Sequence, residues 1–213
     1  MPSIIQRVAA GTALVVLSPL MLVLGIAVRM TSRGPALHRS RRISRGRPFT
    51  LVKIRTMSAA ASDVGPGVTM RGDPRVTKFG AWLRRTKLDE LPQLWNVIRG
   101  DMLLVGPRPE DPQFVDWTNP THALVFGATP GITGPTAIAY RDEESRLAHE
   151  ALAIAIEHGR QVAMPDDLER AYRERVLPAK LALDVEYLRT RSTKGDIAII
   201  WATFGLVLGG RRG

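Results

Sequence analysis

The chain contains no cysteine, so neither a disulfide framework nor a thiolate metal site is available, and a reducing compartment fits it. Histidine is scarce: His38, His122, His149 and His158 lack ligand spacing and read as ordinary surface or loop residues. Low-complexity stretches are few, and 45% apolar content over 213 residues argues against disorder and leaves room for one ordinary core. Negative charge is missing altogether before Asp63, whereas Arg7, Arg29, Arg33, Arg39, Arg41, Arg42, Arg45, Arg47, Lys53 and Arg55 all fall in that stretch. The remaining twenty basic residues balance the twenty acidic ones, so the whole net charge of +10 belongs to the N-terminal quarter. A nucleic-acid-binding domain would carry its excess on the folded body. Lys and Arg gathered just after an apolar segment read instead as a cytoplasmic juxtamembrane flank facing anionic lipids, with no nucleic-acid partner.

The apolar segment is Val8 to Val28, about twenty residues without a charge, the length that crosses a hydrocarbon core. It is too long for a signal-peptide core and leads straight into Arg29 and more basic residues, which argues against cleavage. Ser18-Pro19 falls at its middle, where proline removes a backbone bond and predicts a kink. Two readings follow: a kinked spanning helix, or a re-entrant helix that returns to the side it entered, keeping Arg7 and Arg29 on one face of the membrane.

Past Gly34-Pro35 the chain is basic to Arg47, with a turn at Ser44-Arg45-Gly46. Phe49 to Arg55 alternates as a short strand with Lys53 and Arg55 on one face, and Ala60 to Asp73 reads as a mobile loop. Val76, Phe79, Gly80 and Leu83 share one face of a helix ending at Arg85, which either covers the core or lies at the headgroups with Trp82 as anchor. Leu91, Leu94, Trp95 and Ile98 repeat at helical spacing before a Gly100 cap, and Asp89 suits the N-cap because Pro92 then falls in the first turn. Pro107-Arg108-Pro109 and Pro130 to Pro135 are rigid turns; Arg141 to Gln161 and Asp166 to Arg191 are helical by pattern; Asp196 to Leu208 is strongly apolar but too short to span.

Asp89 and Glu90 stand side by side among Arg84, Arg85, Arg99 and Arg108. At a helix N-terminus both should be ionised, and ionised carboxylates can attack phosphorus or hold Mg²⁺ against phosphate oxygens. An Asp-Glu pair at a helix start is more often a plain cap. Arg108, held between two prolines, is the more specific sign, because a rigid exposed arginine suits bidentate anion binding.

Lys53 to Met57, Asp73 to Thr77, Leu88 to Val97, Gly100-Asp101-Met102, Gly106 to Pro109 and Pro130 to Gly134 together resemble the bacterial sugar transferases known as monotopic phosphoglycosyl transferases. The resemblance covers nearly the whole chain and is most specific from Arg75 to Glu110. It implies an α+β, mostly helical fold, with a re-entrant membrane helix broken at Ser18 and Pro19 (residues 1–33) and one cytosolic catalytic domain with interfacial helices (34–213). It implies transfer of a phosphosugar from a UDP-sugar to polyprenyl (undecaprenyl) phosphate, releasing UMP, at the cytoplasmic face of the bacterial inner membrane. Asp89 matches the nucleophile that becomes a phosphosugar-enzyme intermediate, Glu90 the residue associated with Mg²⁺, and Arg108 the arginine facing the phosphates.

Lys53, Arg55, Arg75 and Arg85 are further candidates for phosphate, and Thr133 and Arg141 for the nucleotide sugar. Three departures stand out, the first being Thr129 in the Thr129-Pro130-Gly131 turn, where a basic residue is frequent in the family. Pro135 to Glu144 replaces the family's commoner Ala-Gln-Val-Asn-Gly-Arg stretch, and the helix from Ser145 to Asp167 is atypical, which bears on recognition of sugar and base rather than on the reaction. The competing reading, from a different class, is a membrane-tethered scaffold that binds anionic lipid, with Asp89 a cap. Oligomeric state is barely constrained, and a homodimer stays open.

Overall fold

A computed structural model describes Met1, residues 3–58 and residues 67–208. The uncharged N-terminal run lies within one helix, α1 (Ser3–Thr31), about 43 Å long at 1.5 Å per residue. Among the described residues it is the one helix long and apolar enough to cross a membrane. Pro19 cannot donate to the carbonyl of Val15, and the Ser18 hydroxyl donates to that carbonyl instead, at 2.8 Å. The Ser-Pro pair therefore repairs the bond that proline removes, and the helical assignment continues through it. One stripe of α1 is buried from end to end, through Gln6, Ala10, Leu24 and Val28 with Leu14 and Leu17 partly covered between them. The opposite stripe, including Val8, Val15, Val16, Leu22, Val23 and Met30, is exposed. The helix thus lies along the rest of the chain over its full length.

β1 (Leu37–Ser44) and β2 (Arg47–Ile54) form an antiparallel hairpin. Arg45 and Gly46, both at positive φ (50° and 72°), make its two-residue turn, so the expected turn and strand are both present. β1 was not foreseen: its basic residues hide the alternation, which shows only in its burial pattern. Of the loop read at Ala60 to Asp73, residues 60–66 lie outside the described residues, and the rest is irregular with a turn at Arg71-Gly72.

α2 (Lys78–Thr86) starts at Thr77, whose hydroxyl accepts the Gly80 N–H at 2.9 Å. Gly80 sits against the backbone of Thr56 so closely that a Cβ there would lie 1.9 Å from the Thr56 oxygen, which locks α2 onto the exit of β2. α3 (Gln93–Arg99) ends at Gly100 in the left-handed region, as the sequence predicts. It is tied to β2 by Asn96, whose amide donates to Thr50 O (2.7 Å) and accepts from Val52 N–H (3.1 Å), completing the strand's edge.

β3 (Leu103–Val105) pairs in parallel with β4 (Gly131–Thr133) across α4 (Pro120–Gly127). The two turns beyond them touch backbone to backbone: a Cβ on Gly131 would lie 2.1 Å from Gly106 N, and one on Gly134 2.2 Å from Gly106 O. Side chains are excluded from this seam, which fixes the Pro107-Arg108-Pro109 turn.

The remainder is helical: α5 (Pro135–Ala139), α6 (Glu143–Glu157), α7 (Pro165–Ala171), a π turn at Tyr172–Val176, α8 (Leu177–Thr190) and α9 (Thr193–Leu208). The mostly helical α+β expectation is met. Three hydrophobic clusters result, one among α4, α6, α7 and α8, one where Ala10 of α1 meets Leu51, Leu94, Val97 and Met102, and one where Leu24 and Val28 meet Ile54 and Leu83. Trp201 and Phe204 of α9 are exposed, as are Trp82 and Trp95.

Candidate active site

α2 closes on Lys87, a non-glycine residue at φ 59° whose N–H returns to the carbonyls of Leu83 and Arg84. That left-handed residue costs about 1 kcal/mol and turns the chain sharply into a 3₁₀ turn, Leu88–Glu90, which carries both carboxylates. Asp89 is consequently not the cap of α3, whose N-cap is Pro92, and no side-chain capping bond is made there. The capping expectation fails because the turn inserts between α2 and α3. Asp89 is buried, and its Oδ1 has no hydrogen-bond partner, an arrangement costing about 1–3 kcal/mol and unlike that of a cap, whose oxygen bonds a free N–H.

Glu90 accepts a charge-assisted hydrogen bond from Arg108 Nη2 at 3.1 Å. Burial would raise its pKa, but the charges of Arg108 and Lys87, with the Arg108 bond, hold it below the usual glutamate range. Asp89 moves the other way: burial and the neighbouring Glu90 charge push it up against the pull of Lys53, Lys87 and Arg84. The expected helix N-terminus is therefore absent, and the two carboxylates are divided by their partners: Glu90 is clasped by Arg108 and held low, while Asp89 keeps a free oxygen and is pushed up.

Cations surround the pair from three elements. Lys53 of β2 is pushed down to about 8 by burial and by Arg84 and Arg42, while Asp89 and Glu90 pull it back. Arg84 of α2 donates through Nε to Thr56 Oγ1 at 2.8 Å and through Nη1 to Glu144 Oε1 at 2.5 Å. Arg108 is raised chiefly by Glu90, and its own N–H faces Asp184 Oδ2 at 3.4 Å. Asp184 also accepts from Thr136 (2.6 Å) and is pushed up to about 6 by burial. Beneath that turn Lys180 donates to Glu143 and to Tyr172 OH, both at 2.8 Å, and Tyr172 OH donates to Glu110.

The structure thus gathers Lys53 and Arg108 with Asp89 and Glu90, and it uses other candidates elsewhere. Arg55 is buried and holds the end of α1, donating to Ser32 O (2.7 Å) and Arg33 O (2.6 Å), with Arg29 the charge that acts on it. Arg75 is clamped on Asp73, Nη2 to Oδ2 at 2.7 Å. Arg85 is exposed, and the arginine acting on Asp89 is its neighbour Arg84, since adjacent helical residues point about 100° apart and Gly80 sets which one faces Thr56. Thr133 bonds Thr203 of α9 at 2.7 Å, and Arg141 donates to the Leu206 carbonyl. Lys87 was missed as a site residue, and its signal was only its place two positions before Asp89.

A buried Asp89 and a half-buried Glu90 with opposed pKa shifts, ringed by Lys53, Arg84, Lys87 and Arg108, form a cationic pocket of the kind that can accommodate a multiply anionic group. The chain belongs to the bacterial sugar transferase family, whose model matches residues 1–210. It is 35% identical over 191 residues to the UDP-glucose:undecaprenyl-phosphate glucose-1-phosphate transferase of Caulobacter vibrioides, covering 86% of this chain and 71% of that protein. It is 33% identical over 204 residues to the Escherichia coli protein of the same name, covering 92% of this chain and 38% of the relative. Over 130 residues it is 38% identical to the UDP-N-acetylgalactosamine-undecaprenyl-phosphate N-acetylgalactosaminephosphotransferase of Aeromonas hydrophila, 59% of this chain and 31% of the relative. The chain therefore spans most of the first relative and about a third of the other two.

Proposed function

We propose that the chain transfers a phosphosugar from a UDP-sugar to polyprenyl phosphate in two displacements at one phosphorus. In the first, an Asp89 carboxylate oxygen attacks the β-phosphorus, the bond from that phosphorus to the bridging oxygen breaks, and UMP leaves with the electron pair. In the second, a phosphate oxygen of the lipid attacks the same phosphorus, the bond to Asp89 breaks, and the carboxylate is regenerated with polyprenyl diphosphate sugar as product. The observation that carries this reading is the buried, unpartnered Asp89 Oδ1 beside the Glu90–Arg108 pair. Lys53, Arg84 and Arg108 hold and neutralise the diphosphate.

Mg²⁺ fits Glu90, whose Oε1 accepts from Arg108 and whose other oxygen remains for a metal. Such a site asks for only one or two protein carboxylates, the rest of the shell coming from phosphate and water. No cluster of three acidic or histidine ligands occurs among the described residues, which suits an ion that arrives with the diphosphate. When bound it would neutralise charge on the transferring phosphoryl group.

The membrane arrangement is part of the proposal. A re-entrant segment over residues 1–33, carrying α1, on the cytoplasmic face of the membrane and joined to a catalytic part over residues 34–213, is supported by the end-to-end packing of α1 on the other described elements, and by its exposed apolar stripe with exposed Trp201 and Phe204 on α9. Contact with anionic lipids follows from the basic N-terminal flank. Cysteine labelling at Ser3 and Ser32 tests it: both should react from the cytoplasmic side, and reaction from opposite sides would establish a spanning helix.

The reaction is tested by UMP release over a panel of UDP-sugars with polyprenyl phosphate, and by exchange of labelled UMP into UDP-sugar without lipid. Exchange in the parent and none in Asp89→Asn is expected; normal turnover by Asp89→Asn would sink the assignment, and turnover without exchange would make the transfer a single step.

A further inference from the structure

We propose that Glu144, from the stretch in which this chain departs from the common family pattern, is a positioning residue that holds Arg84 at the diphosphate site. The inference rests on the function proposed above and extends it to a residue outside the shared motifs. Arg84 is a long side chain on a nine-residue helix, and left alone it would sample many rotamers. Here its guanidinium is fixed at two points, Nε on Thr56 and Nη1 on Glu144, leaving the remaining N–H groups for an anion. Thr56 follows β2, whereas Glu144 comes from the first turn of α6, so the clamp joins segments sixty residues or more apart only when both are folded.

The aim of Glu144 is itself fixed on either side. Its carbonyl accepts the Arg71 N–H at 3.2 Å, and its neighbour Glu143 is bound by Lys180 at 2.8 Å. Ser145 accepts from Arg71 Nη1 at 3.4 Å and donates to Asp142 at 2.9 Å. The two adjacent acids thereby reach in different directions, Glu144 to the arginine beside Asp89 and Glu143 to the lysine beneath the Arg108 turn. The carboxylate of Glu144 is 39% exposed against 16% for Arg84, so the pair sits at the rim of the site, where one partner can reach substrate. Preorganising a charged donor in this way acts mainly on the binding of the nucleotide sugar.

The test measures kcat and KM for the UDP-sugar, with melting temperature, for Glu144→Ala, Glu144→Gln, Arg84→Ala and the Glu144→Ala/Arg84→Ala double variant. Glu144→Ala should raise KM about 5- to 30-fold, the loss of one charge-assisted hydrogen bond, with kcat changed less. Glu144→Gln, which keeps an acceptor oxygen, should recover most of the loss. In the Arg84→Ala background Glu144→Ala should add less than about 2-fold, the signature of a role exerted through Arg84. A full effect in that background, a lower KM, or a fall in melting temperature with KM unchanged would each overturn the proposal. UMP release by the parent protein tests the underlying reaction separately, so failure of one is not mistaken for failure of the other.

Discussion

Gly80→Ala sets two effects against each other. In an exposed helix interior, alanine is favoured over glycine by about 1 kcal/mol, so helix propensity alone predicts a more stable protein. At this position the new methyl would lie 1.9 Å from the Thr56 oxygen and 2.7 Å from its carbonyl carbon, both backbone atoms that no rotamer change can move. Relief to an ordinary contact near 3.4 Å requires α2 to retreat by roughly 1.5 Å, and overpacking of this kind costs about 1–3 kcal/mol. The net change in stability is therefore small, about 0–2 kcal/mol destabilising once propensity is subtracted.

Catalysis should suffer far more. The retreat carries Arg84 away from Thr56 and shifts Lys87 and the turn holding Asp89, and a displacement of about 1 Å in such a site lowers the rate on the order of 100-fold. Thermal unfolding and UMP release on the same preparation separate the two quantities. Gly11→Ala, inside α1 and with a methyl that meets nothing within 4 Å, is the control: it should leave UMP release unchanged and gain up to about 1 kcal/mol of stability from helix propensity alone. A Gly80→Ala protein that is active within 3-fold of the parent, or more stable than it, would refute the idea that this contact sets the position of the site.

Two further outcomes follow from single groups. Asp184 is pushed up to about 6 in the fold, whereas an unfolded aspartate titrates near 3.9, so its ionisation opposes folding increasingly as pH rises through that interval. The stability of Asp184→Asn relative to the parent should therefore rise by about 2 kcal/mol between pH 4 and pH 7, and a difference that is flat with pH would show Asp184 to be unperturbed. Ser18→Ala leaves the Val15 carbonyl with no donor and should cost about 1 kcal/mol in a bilayer, read as a lower melting temperature in lipid nanodiscs; Thr12→Ala, whose hydroxyl only supplements an intact helical bond, should cost less.

Features that depend on near neighbours were legible in the sequence. The uncharged run gave α1, the Arg45-Gly46 pair its turn, Gly100 its cap, and the Pro-Arg-Pro turn its arginine. By near neighbours alone Asp89 suits an N-cap, but the left-handed Lys87 leads into a 3₁₀ turn over Leu88–Glu90 and α3 begins only at Gln93, with Pro92 at its N-cap. Which arginines reach the dyad was not legible, since it depends on tertiary partners: Ser32 and Arg33 claim Arg55, Asp73 claims Arg75, and the contact at Gly80 turns Arg84 inward in place of Arg85. The parallel pairing of β3 with β4, three residues each, is equally invisible to pattern.

The buried stripe on α1 has a practical consequence. Gln6 accepts the N–H of Leu104, Ala10 helps close the cluster around Val97 and Met102, and Val28 closes the one around Leu83, so the helix is a wall of the folded body. Trimming the chain back to residue 34 in search of a detergent-free form would open two hydrophobic clusters and strip Arg55 of its carbonyl partners. What remained would aggregate. Solubility has to be engineered on the outward stripe, at exposed apolar positions such as Val8, Val15, Leu22 and Met30, where polar residues could be introduced while the inward stripe stays intact.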